Sequence, residues 1–381
     1  MSVRSRMDWL LFLTVLTLIS AGLVMVYSAS SLIAELRFDE DTHYFLVRQA
    51  LAAALSLLLL TVLSQRDYRG LRSAQWAFAG LGIIIFLLIA VYFLDPRAHR
   101  WIRFGMASFQ PSEFAKPAMI VFLAWFVTLR APDINSPHTV WPVAIALVGV
   151  AGAVVVADLG TATVLVATAA AMFYMAGLNR RYTIIAVSAG LVFLTVAVLA
   201  KPYRLKRVID FVDPQYKVLV YVDPEKKLLA YAETGSKIRD TGYHALQSRI
   251  AIGAGGISGL GLMQSRQKLL YLPEAHTDFI YAIVAEETGL WGAGLVLGAF
   301  VLILWRGFRL FCNASDEFGR YIALGVTVAI VFQALLNMSV VLDLGPTKGI
   351  PLPFISYGGS SLVSSSISLG LLLSVSERST A

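Results

Sequence analysis

Long apolar runs separated by short polar breaks organise this chain: the stretches near 8–28, 45–64, 76–94, 114–130, 182–200, 277–305, 320–342 and 361–376 are all poor in charge. A helix needs about 20 apolar residues to cross the hydrocarbon of a bilayer, so each run predicts a transmembrane span. The apolar stretch 139–178 is long enough for two, and Asp158 followed by Gly160 interrupts it. It reads as two helices, near 139–157 and 161–178, joined by a tight outer turn. The pattern predicts an all-α polytopic membrane protein with ten transmembrane helices. It forms one integral membrane domain over 1–381, with a large outer loop, 201–275, between helices 7 and 8.

Composition supports the bilayer. With 57% hydrophobic residues and 14% charged ones, the chain lacks the polar surface of a water-soluble domain. The first apolar stretch, Trp9 to Tyr27, is too long for a removable signal and lacks a small-residue cleavage site, so it is expected to stay as the first span. A single cysteine, Cys312, excludes an internal disulfide. The net charge of +7 answers to topology and anionic lipid and gives no reason to expect a nucleic-acid partner. Twelve basic residues lie in short loops on the side of the termini and five on the other side. That asymmetry places both termini in the cytoplasm. Arg97, Arg100 and Arg103 run against the trend. They anchor lipid headgroups or meet an anionic ligand.

The outer segment carries Val-Asp-Pro twice, at 212–214 and 222–224, around the alternating stretch "YKVLVYV", which suits a short strand or a membrane-lying piece equally. "AIGAGGISGLGLMQS", 251–265, holds too many glycines for a stable helix. It reads as a pliable loop over the outer mouth, and its glycine spacing matches no nucleotide motif.

Ionisable groups inside spans cost about 2.5–3.5 kcal/mol each on insertion scales, so each is a functional candidate. Four places hold them. In "FQPSEFAKPAM", a helix starting at Pro111 puts Glu113 and Lys116 on one face, as substrate ligands or as a structural ion pair. Asp158 in "ADLGTA" is either a site residue or the cap of the sixth helix. In "YLPEAHTDF", Pro273 suits the first turn of a helix, leaving Asp278 near the positive end of that helix, ionised and able to accept a proton. The plainer reading makes Asp278 a helix-start residue. Glu286 and Glu287 follow on the same helix and suit a buried cation or hydrogen bonds within the bundle. "GPTKGIPLPFISYGGSSLV", 345–363, has too many prolines and glycines for a continuous helix. Such backbone is tolerated at membrane depth only against protein or a wet cavity, so it should border the Asp278 site, with Lys348 at the mouth.

These blocks resemble the SEDS family of shape, elongation, division and sporulation proteins, which includes FtsW, RodA and SpoVE. The resemblance rests on "QSRQKLLYLPEAHTDFIYAIVAEETGLWG", "NMSVVLDLGPTKGIPLPFISYGGSSLV", "FQPSEFAKPAM" and "ADLGTA" and spans essentially the whole membrane part. "PEAHTDF" and "PTKGIPLPFISYGGSSL" look closer to the FtsW branch than to RodA. The stretch 214–242 looks longer than the family's usual loop. The resemblance implies a ten-span peptidoglycan glycosyltransferase that polymerises lipid II on the outer face of the cytoplasmic membrane. A class B penicillin-binding protein is the implied partner, and Asp278 the essential carboxylate.

The chemistry expected of such a site follows from its charges. Asp278 acts as general base on the acceptor hydroxyl, or holds a divalent cation, magnesium or manganese, against the pyrophosphate; no other metal ligand is assigned. Lys116, Arg103 and Lys348 are candidates to neutralise the leaving group, and Glu113 and Asp158 would position such cations. Ser112 and His276 flank the substrate-binding set. Direct displacement inverts the anomeric centre. Two rival classes fit the same features: a lipid II flippase and a non-catalytic division scaffold.

Overall fold

The computed structural model describes residues 7–38, 41–96, 98–104, 107–213, 223, 230–231, 241–346 and 349–379. Among these, nine helices are long and apolar enough to cross a membrane. In chain order they are α1 (Trp9–Phe38), α2 (Tyr44–Gln65), α3 (Ala74–Leu94), α4 (Pro111–Arg130), α5 (Pro137–Ala157), α7 (Arg180–Leu199), α10 (Ile280–Asn313), α11 (Glu317–Val341) and α12 (Gly359–Glu377). The element expected as the sixth span, α6 (Leu159–Met175), is apolar and 17 residues long, at the short end of what crosses a bilayer. Between α7 and α10 lie α8 (Pro202–Val212) and α9 (Thr241–Gly255). A small antiparallel hairpin, β1 (Ile102–Phe104) with β2 (Ala107–Phe109), precedes α4; the hydrophobic pattern gave no sign of it. Lys348, Arg97 and most of the repeated Val-Asp-Pro stretch lie outside the described residues.

Local sequence explains the helix starts. Proline occupies the first turn of α4, α5 and α8, where its missing N–H costs nothing. Asp316 caps α11 by accepting from Gly319 N at 2.9 Å, and Asp8 caps α1 through Leu11 N at 3.0 Å. The bundle is layered around α11 and α12: the most apolar stretch of α12 is 89% buried, whereas that of α7 is 6% buried. Serines let α12 pack at the centre. Ser364, Ser366 and Ser374 have no exposed surface, and small side chains permit close helix approach where the surrounding lipid offers no hydrophobic drive.

Two segments depart from the expected course, for one reason. α10 breaks at Gly289, whose φ of 67° and ψ of −162° are far from helical. The break frees the carbonyls of Glu286 and Glu287, which accept from Leu260 N at 3.0 Å and Gly261 N at 2.9 Å, while Leu290 N donates to Gly256 O at 3.0 Å. The glycine-rich stretch is thus not a loose cover over the outer mouth. Its first part finishes α9, and the remainder is locked into the broken helix, which supplies the internal hydrogen bonds that non-helical backbone needs. The two glutamates close the knot, as the sequence suggested. Glu287 accepts from Lys268 Nζ at 3.0 Å and Ser28 Oγ at 2.6 Å, and Glu286 accepts from Ser265 Oγ and from Arg266 N at 2.9 Å.

Candidate active site

Asp278 does not lie inside a helix begun by Pro273. The helix starts at Ile280, and the residues before it form tight turns in which Glu274 takes a φ of 53° and its carbonyl accepts from Thr277 N and Phe279 N at 3.2 Å each. What fixes these turns is the proline- and glycine-rich segment. Three successive carbonyls are satisfied from it or from α11: His276 O by Tyr357 N at 2.9 Å, Thr277 O by Ser356 Oγ at 2.6 Å, and Asp278 O by Asn337 Nδ2 at 2.7 Å. The amide of Asn337 also donates to Ile350 O at 2.7 Å, so one side chain ties the two loops together. At Gly349 a Cβ would stand 2.7 Å from Asp278 Oδ2, and at Gly160 it would meet Ile350 Cγ1 at 2.4 Å. Glycine at these two places lets the segment press against the carboxylate on one side and the α5–α6 break on the other.

The carboxylate opens onto a cavity of about 590 Å³. Its wall is built from the α5–α6 break with Asp158, the C-terminal part of α7, α8 with Tyr203, Arg204 and Arg207, His244 of α9, and the loop with Glu274 and Asp278; Arg100 and Gly349 complete it. Arg100 is presented by a turn in which Asp95 Oδ2 accepts from the backbone N–H groups of Arg100 and Trp101, at 3.3 Å each. Three guanidiniums therefore face three carboxylates, but they differ in commitment. Arg204 is spent on structure, donating to Tyr203 Oη at 3.0 Å, Ala197 O at 3.0 Å and Val155 O at 2.8 Å. Arg100 makes a loose 3.6 Å ion pair with Asp158. Arg207 stands 5.7 Å from the centre of the Tyr203 ring, and burial lowers its pKa from the usual value, an effect that Tyr203 and Asp278 oppose.

Asp278 keeps part of its surface open to the cavity yet is enclosed enough that burial pushes its pKa up to about 7. Arg100 pulls it down, Glu274 and Asp158 push it up, and Arg207 pulls it down. The expectation of an already ionised carboxylate is corrected here: with the helix start two residues later, desolvation outweighs the favourable charges. A carboxylate poised near neutral pH can both accept and return a proton.

The other candidate residues divide. Asp158 does both things weighed for it: Oδ1 accepts from Gly160 N at 2.8 Å and Oδ2 from Thr161 Oγ1 at 2.7 Å, capping α6, while the side chain lines the cavity. Lys116 and Glu113 are not brought to the cavity. The lysine Nζ lies 2.7 Å from Glu113 Oε2 and 2.6 Å from Gln333 Oε1, all three buried between α4 and α11. Ser112 accepts from Gln110 Nε2 at 2.9 Å, also in the interior. His276 packs its ring on Phe45 and Tyr357, with centroids 4.9 and 5.6 Å away. Arg103, on β1, is exposed outside the cavity. Sequence reasoning missed Tyr203, Arg204, Arg207 and His244. The available signal was "PYRLKRVIDF", a proline-started basic segment whose residues 203, 204, 207 and 208 share one helical face.

This architecture defines a polytopic membrane protein that carries an anion-ready polar cavity at one end of its bundle. The FtsW/RodA/SpoVE family model, described as cell cycle protein, matches residues 8–381, and the chain belongs to that family. It is 38% identical to stage V sporulation protein E of Bacillus subtilis, over 99% of this chain and 98% of that one. It is 37% identical to a probable peptidoglycan glycosyltransferase FtsW of Geobacter metallireducens, over 98% and 95%. Among solved structures, it resembles a chain of a peptidoglycan synthase complex studied for the coordination of polymerisation and crosslinking, with a TM-score of 0.71, 27% identity and 97% coverage of both chains. The rod shape determining protein RodA of Thermus thermophilus is similar at a TM-score of 0.67, with 25% identity and 98% coverage of both.

Proposed function

We propose that this protein is a peptidoglycan glycosyltransferase that polymerises lipid II at the outer face of the cytoplasmic membrane during division or elongation. One observation carries the reading: Asp278, with a pKa near 7, is held at the wall of a large cavity alongside arginines whose donors are not all spent. Asp278 takes the proton from the acceptor sugar hydroxyl as that oxygen attacks the anomeric carbon of the donor. The bond from that carbon to the polyprenyl pyrophosphate breaks, and the configuration inverts. Arg100 and Arg207 lie where negative charge develops on the leaving group. In this reading α6 is the sixth of ten spans, both termini are cytoplasmic, and the α7–α10 segment faces outward.

A divalent cation, magnesium or manganese, is compatible with the site. Among the described residues no three His, Cys, Asp or Glu side chains are close enough to hold one, so Asp278 would share it with substrate phosphates, as magnesium commonly does. It would add positive charge at the leaving group.

The kinship with a peptidoglycan synthase complex supports a class B penicillin-binding protein as partner. The test uses purified protein and labelled lipid II, with and without such a partner lacking its own polymerase. Glycan strands are expected, and none from Asp278→Ala inserted at normal levels. Transfer of lipid II across liposomes without polymer would instead mean a flippase, and neither activity a scaffold. A polymerising Asp278→Ala variant would remove the assignment.

A further inference from the structure

Beside the polar cavity runs an apolar one that the transferase reading does not use. It measures about 270 Å³ and lies between Leu88, Ile89 and Tyr92 of α3 and Ala153 and Val156 of α5. Ala157 belongs to the walls of both cavities. His99 bounds the apolar one, its ring stacked 4.4 Å from that of Tyr92, and the next residue, Arg100, faces the polar one. Ile89 is 54% exposed and Tyr92 50%. Both lie in the last turns of α3, which ends at Leu94, and exposure there is contact with the acyl chains nearest the headgroups.

Arg100 stands where the two spaces meet, with binding capacity left over. Its Nε is buried and has no hydrogen-bond partner. Its ion pair with Asp158, at 3.6 Å, is longer than a direct hydrogen bond. A partly exposed guanidinium with a donor to spare fits a diphosphate, which offers paired oxygens in the geometry of the guanidinium fork. An apolar groove open to lipid on one side and ending at such a group fits an amphiphile with a hydrocarbon tail and a diphosphate head.

We propose that the α3–α5 groove seats the polyprenyl tail of the glycosyl donor, with Arg100 holding its pyrophosphate at the junction of the two cavities. This rests on the transferase reading. The choice of donor over acceptor follows from the bonds. The donor's diphosphate is attached to the carbon that reacts and so lies next to the base, whereas the acceptor's diphosphate is at the far end of a disaccharide from the attacking hydroxyl. Among the described residues, Arg100 is also the cation that most strongly favours the charged form of the Asp278 carboxylate.

Titration calorimetry on the full chain in detergent tests this without requiring turnover. Two ligands are compared: a long-chain polyprenyl pyrophosphate, which is the donor's leaving group, and inorganic pyrophosphate, which is its head alone. Ala153→Phe fills the groove from α5, and Ile89→Trp fills it from the lipid-facing side of α3, where a larger ring is easily tolerated in folding. Each should raise the Kd of the long-chain ligand by about fivefold or more and leave that of inorganic pyrophosphate unchanged, while Arg100→Gln weakens both. Unchanged long-chain binding in the folded variants overturns the proposal. So does an equal loss for both ligands in the groove variants, or no binding of the long-chain ligand by the wild type. Absence of polymer from the wild type with lipid II would instead defeat the transferase reading.

Discussion

Two groups of ionisable side chains lie within a few helices of each other and could hardly be treated more differently. Between α4 and α11, Lys116 meets Glu113 at 2.7 Å and Gln333 at 2.6 Å, and Gln333 in turn donates to Pro351 O at 2.9 Å. Lys116, Glu113 and Gln333 are thus each bonded within their own chain, and none of them lines the Asp278 cavity. At the cavity wall, Asp278 has no ion-pair partner among the described residues, and the charges acting on it there are split between two arginines and two further carboxylates. Both groups bear the cost of removing charge from water. In the first, the cost is offset by pairing during folding; in the second, it stays uncompensated until a ligand arrives. The lesson is that a charge inside a membrane protein points to function when its partner is missing, not merely because it is there.

The contrast is broken most sharply by amide substitution on each side. Asp278→Asn should reduce polymerisation of lipid II by about a hundredfold to ten-thousandfold, the usual worth of a general base. It should leave thermal stability at pH 8 equal to or above that of the wild type, because the amide removes a disfavoured buried charge. Lys116→Met should behave in the opposite sense. It strands Glu113 in the interior and should cost about 3–5 kcal/mol of stability, read as a fall in melting temperature. The double variant Glu113→Gln with Lys116→Met should recover most of that loss. Should Lys116→Met unfold normally yet fail to bind donor, the closed cluster belongs to the site after all.

The same contrast explains what the sequence could and could not say. Span positions were legible because crossing hydrocarbon leaves a record of about 20 residues in each helix, and the break at Asp158 was legible because a charge and a glycine interrupt an apolar run. The proline- and glycine-rich segment announced itself as non-helical, and its place beside Asp278 followed from the need to satisfy its backbone. Helical spacing placed Glu113 and Lys116 on one face, but spacing cannot say which neighbour that face meets; α11 supplies Gln333, and the pair is closed. The ionisation of Asp278 was misjudged because it depended on a helix start that only Tyr357, Ser356 and Asn337, distant in sequence, determine. Arg204 and Arg207 were overlooked in a polar segment whose helical spacing puts them on one face with Tyr203, because spacing alone cannot say whether that face meets a cavity or solvent.

Within the cavity the contrast recurs between those two arginines, on adjacent turns of α8. Arg204 holds the ends of α5 and α7 together through Val155 O and Ala197 O, so Arg204→Gln should lower the melting temperature and reduce the amount of folded protein. Arg207 shows no such commitment among the described residues. Arg207→Gln should fold normally and lower kcat/KM for lipid II by about tenfold, the worth of one charge-assisted hydrogen bond. Similar stability losses in both variants would make Arg207 structural. A more modest effect is expected at Gly349, where Ala would push a methyl group to 2.7 Å from Asp278 Oδ2. A several-fold loss in kcat at unchanged folding would show that the approach of this segment sets the position of the carboxylate.

The pH dependence of stability and activity tests the poised carboxylate most directly. A folded-state pKa of about 7 against an ordinary 3.8 means that the native protein holds a proton the unfolded chain has released at intermediate pH. By linkage, the stabilising contribution of Asp278 is fully present below about pH 4 and is lost as pH rises through about 7. Activity runs the other way, because only the deprotonated form accepts the hydroxyl proton: kcat/KM should climb with pH and level off above about 7. Stability and activity should therefore cross in the same window. In Asp278→Asn the stability difference from the wild type should vanish in acid and grow towards neutral pH, measured by thermal unfolding at matched ionic strength. A pH-independent difference would mean that the carboxylate is ionised throughout this range, and that its enclosure by the cavity wall does not hold the proton on it.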